Sequence, residues 1–176
     1  NILDALSRDI DRNHIFNNSW GPEDDGQLNK PASGWTAFND TLAKGLSKGR
    51  NGLGVLYVFS GGNGAWEGDY SSADSATSSR GAITVCATDA AGERAPYSER
   101  GSNLTVCAPS GRSTTPASAP EITTTSVKDK YTDDFGGTSA SAPMVSGVAA
   151  LMLQANPRLT WRDVPLILAR TARQVD

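Results

Sequence analysis

Residues 53–59 read LGVLYVF, and residues 60–64 continue the chain as SGGNG. A segment that is apolar at almost every position has both of its faces buried, which is typical of a strand within a parallel sheet. The glycines and the serine that follow indicate that this strand ends in a loop. The segment therefore predicts a buried strand of a parallel sheet, with a polar loop leaving its carboxyl end.

Short apolar or β-branched segments on both sides of this strand predict further strands. They are residues 15–20, 82–88, 104–108 and 121–127. Segments with apolar residues at three- and four-residue steps, or with capping residues near their starts, predict helices. They are residues 1–12, 35–49, 138–155 and 160–171. Strands that alternate with helices predict an α/β fold with a mostly parallel sheet and flanking helices.

The composition is that of one globular domain. The chain has 176 residues, of which 38% are hydrophobic and 20% are charged, and this balance argues against general disorder. Sixteen lysines and arginines against 19 aspartates and glutamates give a net charge of −3, so no basic surface for nucleic acid is expected. The apolar runs are far shorter than the roughly 20 residues of a membrane helix, so no membrane span is expected.

The cysteine and histidine counts restrict the chemistry. Two cysteines, Cys86 and Cys107, are too few for a disulfide-rich scaffold or for a four-thiolate zinc site. Each lies in a Val-Cys-Ala tripeptide within a predicted apolar strand, which favours two buried free thiols over the alternative, a disulfide between them. The single histidine, His14, excludes histidine-rich metal sites and leaves at most one imidazole for acid–base chemistry.

Residues 137–144 read GTSASAPM. Ser139 lies at the predicted start of a helix, where unpaired backbone N–H groups and the positive end of the helix dipole favour a developing oxyanion. The small residues on both sides of this serine would let a substrate backbone approach closely. A capped core helix that contains small residues explains the same residue types equally well.

The whole string resembles the nucleophile motif of subtilisin-like serine proteases, in which a serine follows Gly-Thr and precedes a proline by four residues. This resemblance implies that Ser139 is the nucleophile. Residues 60–64 resemble the oxyanion loop of the same family, which implies that the Asn63 amide and the Ser139 N–H would bind the oxyanion. Without that resemblance, a Gly-Gly-Asn-Gly segment predicts only a turn.

Five further segments resemble the kexin and furin branch of that family, the proprotein convertases. They are residues 19–26 (SWGPEDDG), 49–54 (GRNGLG), 97–99 (YSE), 122–125 (ITTT) and 159–163 (LTWRD). The matches follow one another in order along the whole chain. The resemblance implies that residues 1–176 are the C-terminal portion of a kexin-type catalytic domain and form part of the subtilisin-like α/β fold.

The resemblance also implies which residues contact a peptide substrate. Ser19, Trp20 and Gly21 would form the edge against which the substrate backbone pairs as an added strand. Asp24 and Asp74 would receive the basic side chain of P1, the substrate residue before the scissile bond. Two carboxylates suit this role because a guanidinium presents a planar fork of donors, and its charge must be paired once it is desolvated.

A calcium site is implied next to that pocket. Asp24, Asp69 and Glu99 would be its ligands, since three carboxylates fit a hard cation that prefers oxygen. Solvated surface acids are the alternative interpretation of the same residues. Taken together, the motifs imply a calcium-dependent serine endopeptidase that cleaves proteins or peptides after lysine or arginine through an acyl-enzyme on Ser139.

The chain departs from the family pattern in two places. Residues 27–30 (QLNK) lack the acid with which furin-like members select basic residues further upstream in the substrate, so strong selection for a P4 arginine is not expected. The subtilisin-like triad needs Asp, His and Ser in that chain order. Neither the aspartate motif nor the histidine motif is present, and His14 has no catalytic counterpart in the family.

This chain alone is therefore expected to be inactive. A preceding segment would supply the aspartate, the histidine and the other half of the sheet, and a C-terminal P domain would follow in the full-length protein. The resemblance implies a secreted, extracellular or periplasmic location. Two alternatives remain open: a non-catalytic calcium-binding or interaction module derived from a protease, and a subtilisin-type protease without basic specificity.

Overall fold

A four-stranded parallel sheet forms the centre of the molecule. The computed structural model describes residues 1–26, 35–111 and 121–174. The strands are β1 (Ile15–Asn18), β2 (Leu56–Ser60), β3 (Ala82–Thr88) and β4 (Leu104–Pro109), and they lie in that order across the sheet. All three neighbouring pairs are parallel, which confirms the predicted α/β class and the mostly parallel sheet.

Four α-helices lie around this sheet in the part of the chain that the structure describes. They are α1 (Ile2–Ala5), α2 (Trp35–Lys48), α3 (Thr138–Ala155) and α4 (Asp163–Thr171). Among the described residues, no helix has both the length and the hydropathy that crossing a bilayer requires.

The side chains of β2 divide the core into two layers. Tyr57 and Phe59 pack with Phe38 and Leu42 of α2 on one face of the sheet. On the other face, Leu56 and Val58 pack with apolar residues of α3 and α4. Every residue of β2 is buried, as the apolar run 53–59 predicts, because helices cover the strand on both sides.

A hairpin precedes α3 and lies outside the parallel sheet. Its strands are β5 (Ile122–Ser126) and β6 (Lys130–Phe135), which pair antiparallel. Residues 127–129 connect the two strands, and Lys128 and Asp129 both have positive φ there. The prediction of a strand at residues 121–127 is confirmed, whereas β6 was not predicted because its polar sequence KYTDDF has no apolar alternation.

The first predicted helix is much shorter than expected. α1 ends at Ala5, and Asp9 adopts a left-handed conformation with φ 51°. The Asp9 carbonyl accepts hydrogen bonds from the N–H groups of Arg12 and Asn13, so the chain forms a turn instead of a second helical turn. Leu6 is nevertheless buried in the core, which explains the apolar spacing that suggested a longer helix.

The start of α4 contains the predicted capping interaction. The Thr160 N–H donates to Asp163 Oδ2 at 2.8 Å, and the Asp163 N–H donates to Thr160 Oγ1 at 3.3 Å. The hydrogen bonds from Thr160 lower the pKa of the Asp163 carboxyl. The helix itself begins at Asp163, three residues later than predicted.

The prediction of two free thiols is wrong. Cys86 and Cys107 form a disulfide, and their Cα atoms are 4.3 Å apart. The two residues are direct partners in the β3–β4 register, so their side chains leave the sheet side by side. A bond between the sulfurs therefore needs no rearrangement of the strands.

A buried arginine joins the entry of β2 to the α3–α4 connection. Arg50 is 4% exposed, and its guanidinium donates to the carbonyl oxygens of Gly54, Pro157 and Leu159 at 3.0–3.1 Å. Burial lowers the pKa of this guanidinium. Its hydrogen bonds to three carbonyls compensate for the loss of solvent.

We predict that Arg50→Met lowers the free energy of unfolding by about 3 kcal/mol, because one buried and two partly buried carbonyl groups lose their donor. Arg158→Met, at an exposed arginine, serves as the matched control and should change it by less than about 0.5 kcal/mol. Urea unfolding of both variants measures the difference. Equal effects of the two substitutions would contradict the structural role given to Arg50.

Candidate active site

Most of the predicted site residues line one pocket at the carboxyl end of the sheet. The loops that follow β1 and β2 meet the amino end of α3 at this edge, because the strands are parallel. All of the predicted residues except Ser19 line the pocket: Trp20, Gly21, Asp24, Asn63, Asp69, Asp74, Glu99 and Ser139. The structure therefore brings together residues that are as much as 119 positions apart in the chain, counted from Trp20 to Ser139.

The side chain of Asn63 is held by the residue before the candidate nucleophile. Asn63 Oδ1 accepts from the Thr138 N–H at 2.8 Å and from Thr138 Oγ1 at 3.0 Å. These two hydrogen bonds fix the orientation of the amide group. Its Nδ2 group remains as the donor for a ligand. Gly137 has φ 75°, and a Cβ atom on it would lie 3.2 Å from Asn63 Oδ1, so glycine suits this position.

Ser139 is the second residue of α3, so its N–H has no acceptor within the helix. This N–H and the amide of Asn63 belong to the same pocket lining. Two donors of this kind, at the positive end of a helix, can stabilise negative charge on an oxygen placed between them.

Three serine hydroxyls hold the backbone around Ser139. Ser19 Oγ donates to the Ser139 carbonyl at 3.0 Å, and Ser110 Oγ donates to the Gly137 carbonyl at 2.8 Å. Ser141 Oγ donates to the Ala108 carbonyl at 2.9 Å, which joins α3 to the end of β4. Sequence reasoning missed these supporting contacts, because no pattern in the chain specifies which carbonyl a serine will reach.

Three acids lie close together next to the predicted oxyanion loop, residues 60–64. One carboxylate oxygen from each of Asp24, Asp69 and Glu99 lies within 4.8 Å of the other two. Asp24 Oδ1 accepts from the Asn63 N–H and Glu99 Oε1 accepts from the Gly64 N–H, both at 3.2 Å. Oxygen ligands of this number and charge are what a hard divalent cation prefers, so the predicted ligands fit calcium.

Glu99 is the most buried member of this cluster, with 6% of its surface exposed. Burial raises its pKa to about 7, and the charges of Asp24 and Asp69 act in the same direction. A Cβ atom on Gly62, which has φ 98°, would lie 2.1 Å from Glu99 Oε1. The glycine in the oxyanion loop thus makes room for the buried carboxylate.

Asp74 reaches the same pocket from another loop. Its Oδ1 accepts from the Ala76 N–H at 2.9 Å, which fixes the direction of the carboxylate. Trp20 borders the pocket from the β1 side and packs edge-on against Phe59, with ring centroids 5.8 Å apart. Asp74 and Asp24 therefore place two acids in one small pocket beside Ser139.

The single histidine is not part of this arrangement. His14 immediately precedes β1 and so lies at the amino end of the sheet, whereas the pocket lies at the carboxyl end. It borders a different cavity, with Arg50 and Pro157. Residues 27–30, from which weak P4 selection was predicted, lie outside the described residues.

The sequence profile of the subtilase family matches residues 2–176, nearly the whole chain. The chain belongs to the subtilase family. This result confirms the resemblance seen in the motifs around Ser139 and Asn63.

Curated relatives extend this subtilase assignment. The chain is 39% identical over 172 residues to "Protease KEX1" of Kluyveromyces lactis and 40% identical over 162 residues to "Proprotein convertase subtilisin/kexin type 5" of Homo sapiens. The matches cover 98% and 91% of this chain, but only 22% and 8% of the two relatives. The chain thus spans a small part of the length of the kexin-related proteins it matches.

Solved proteases share the fold. The serine protease of Aeromonas sobria superimposes with a TM-score of 0.80 at 23% identity, covering 94% of this chain and 34% of that one. A protease from Pseudoalteromonas arctica gives a TM-score of 0.68 at 29% identity, covering 92% of this chain and 44% of that one. A cold adapted subtilisin-like serine proteinase gives a TM-score of 0.67 at 24% identity, covering 90% of this chain and 48% of that one, so the four-stranded sheet and its helices are part of a subtilisin-like fold.

The raised pKa of Glu99 predicts how stability depends on pH when a chelator keeps divalent cations away. The folded state favours the protonated carboxyl, so its contribution is full below pH 4.5 and is lost as pH rises towards about 7. This loss is on the order of 3 kcal/mol. Glu99→Gln should remove it, so urea unfolding at pH 5 and pH 7.5 should show a smaller decline than in the unmodified protein.

Glu67→Gln, at an exposed acid of the neighbouring loop, is the control and should keep the full decline. If Glu99→Gln and Glu67→Gln gave the same pH dependence as the unmodified protein, the raised pKa of Glu99 would be refuted.

Proposed function

We propose that this chain is the C-terminal portion of the catalytic domain of a kexin-type serine endopeptidase. The enzyme cleaves proteins or peptides after lysine or arginine through an acyl-enzyme on Ser139. The observation that supports this most directly is the shared pocket, in which Ser139 and the Asn63 amide lie beside the carboxylates of Asp24 and Asp74. A nucleophile, an oxyanion donor and two acids for a basic side chain are the parts that this reaction needs.

In this reaction Ser139 Oγ attacks the carbonyl carbon of the scissile bond and forms a tetrahedral intermediate. The Asn63 Nδ2 group and the Ser139 N–H donate to its oxyanion. The intermediate then loses the leaving amine and becomes an acyl-enzyme, which water hydrolyses. Removal of the Ser139 proton needs a histidine base, and the proposal assigns this base and its aspartate partner to another segment of the parent protein.

Substrate binding uses the residues that follow β1. Ser19, Trp20 and Gly21 offer an extended edge on which a substrate strand can pair through its backbone. The hydrogen bond from Ser19 Oγ to the Ser139 carbonyl ties this edge to the nucleophile turn. The backbone pairing that binds the peptide would therefore also position its scissile bond next to Ser139.

In the proposed enzyme, calcium would be bound by Asp24, Asp69 and Glu99. When bound, it would neutralise the negative charge that these carboxylates place behind the pocket. Asp24 belongs to both the acid cluster and the pocket lining, so it connects cation binding with the recognition of a basic side chain.

The remaining parts of the proposal concern the parent protein. We expect this chain alone to be inactive. Its one histidine lies at the amino end of the strands, whereas Ser139 lies near their carboxyl ends. A P domain after the catalytic domain, and a secreted, extracellular or periplasmic location, follow from the kexin resemblance. The Cys86–Cys107 disulfide supports an oxidising compartment. The position of His14 equally supports the second candidate, a non-catalytic calcium-binding or interaction module.

Peptide cleavage by the full-length protein tests the specificity. We expect kcat/KM for a peptide with arginine at P1 to exceed that for the matched phenylalanine peptide by at least about 100-fold, because two carboxylates pair with the guanidinium. Asp74→Asn should reduce this preference by about tenfold or more. Asp40→Asn, an exposed acid of α2, should leave it unchanged.

A preference for phenylalanine would support a subtilisin-type protease without basic specificity and would remove the role given to Asp24 and Asp74. No cleavage of any peptide by the full-length protein would support the non-catalytic module.

Thermal unfolding tests the calcium site. We expect a chelator to lower the Tm of the full-length protein by several degrees and calcium to restore it, because a ligand present at 100 times its Kd contributes about 2.7 kcal/mol. Asp69→Asn should remove most of this response, whereas Glu67→Gln should retain it. An unchanged Tm after chelation would count against Asp24, Asp69 and Glu99 as ligands.

A further inference from the structure

The Cys86–Cys107 disulfide lies between two strands that hold opposite halves of the candidate active site. On β3, the residue before Cys86 is Val85, and its carbonyl accepts from the Gly61 N–H at 2.9 Å. Gly61 is part of the loop that presents Asn63. This strand therefore fixes the start of the oxyanion loop one residue away from the disulfide.

The residue after Cys86 supports the acid cluster in the same way. The Ala87 N–H donates to Ser98 Oγ at 3.0 Å, and the Ala87 carbonyl accepts from the Ala95 N–H at 2.9 Å. Ser98 precedes Glu99 in the chain. β3 thus contacts both the oxyanion loop and the segment that carries the buried carboxylate, on either side of Cys86.

On β4, the residues after Cys107 hold the nucleophile helix. Ser141 Oγ donates to the carbonyls of Ala108 and Pro109 at 2.9 and 3.3 Å. Ser110 follows directly, and its Oγ donates to the Gly137 carbonyl at 2.8 Å. The end of β4 therefore contributes hydrogen bonds that help to locate the first turn of α3, where Ser139 lies.

The strand pairing next to the disulfide is irregular. Thr84 pairs with Leu104, whereas Val85 pairs with Val106, so one residue of β4 is left over between them. Such a bulge leaves one residue unpaired and disrupts the hydrogen-bond ladder locally. A slip of one residue would move the Ala108 and Pro109 carbonyls away from Ser141. The Cys86–Cys107 disulfide lies one residue beyond this bulge.

From this geometry we propose that Cys86 and Cys107 are positioning residues for catalysis. Their disulfide holds β4 in register with β3 and so fixes the nucleophile turn relative to the Asn63 amide. The inference rests on the proposed serine endopeptidase activity. It assigns the disulfide a function beyond stability, because the bond joins the strand that supports the oxyanion donor to the strand that supports the nucleophile.

A double-mutant cycle in the full-length protein tests this proposal. With the disulfide intact, Asn63→Ala should lower kcat on the order of 100- to 1,000-fold, the usual effect of losing an oxyanion donor. In the Cys86→Ala, Cys107→Ala background, kcat should start about tenfold lower with KM within twofold. Asn63→Ala should then cost about tenfold less than it does with the disulfide intact, because the amide is no longer aligned with the oxyanion.

Leu42→Ala is the matched control, since it removes a buried side chain from the α2 layer on the other face of the sheet. It should lower Tm while leaving kcat and the full effect of Asn63→Ala in place. All assays are run at least about 20 °C below the lowest Tm. A second cycle in the Cys86→Val, Cys107→Ala background, with a better-filled strand pair, provides the same test if the alanine pair does not fold.

The outcomes separate the two hypotheses. If Asn63→Ala lowers kcat by the same factor with and without the disulfide, the bond has only a structural role and the positioning proposal is overturned. If Asn63→Ala and Ser139→Ala leave kcat unchanged in every background, the proposed function fails instead.

Discussion

The contact between Asn63 and Thr138 is the constraint on which the site depends. One amide oxygen accepts from both the N–H and the hydroxyl of Thr138, and this joins the loop after β2 to the first turn of α3. The two elements can meet there because β2 and α3 also pack against each other through Val58, Val145 and their neighbours. Core packing therefore determines where the helix begins relative to the strand end. The hydrogen bonds then determine which way the amide donor points.

Negative charge is the main unfavourable feature of the arrangement. Asp24, Asp69 and Glu99 share one small region, and Glu99 is almost fully removed from solvent. Backbone N–H groups of the oxyanion loop donate to Asp24 and Glu99, which offsets part of the cost of burial. A bound cation offsets more of it, so in the proposed enzyme the shape of the oxyanion loop and the occupation of the cation site depend on each other.

Much of this architecture could be predicted because local patterns and tertiary structure agree. β3 (Ala82–Thr88) and α3 (Thr138–Ala155) have the predicted bounds, since apolar strands and helix-start signals are local properties. The disulfide could not be predicted in the same way. Its existence depends on the register of β3 against β4, and a bulge between Thr84 and Val85 sets that register.

Other errors have the same origin. The predicted helix at residues 1–12 ends at Ala5 because Asp9 turns the backbone, although Leu6 is buried as its spacing suggested. The hydroxyls of Ser19 and Ser110 support the nucleophile turn through carbonyls that only the folded chain brings within reach. Most of the predicted site residues line one pocket, whereas the hydrogen bonds that orient this site could not be predicted from sequence.

Covalent labelling of the full-length protein tests the central claim most directly. A fluorophosphonate reacts with serines that are activated as nucleophiles, and peptide mass spectrometry locates the adduct. We expect one adduct, on Ser139, and none in the Ser139→Ala variant. Labelling of a different serine, or undiminished labelling of Ser139→Ala, would contradict it.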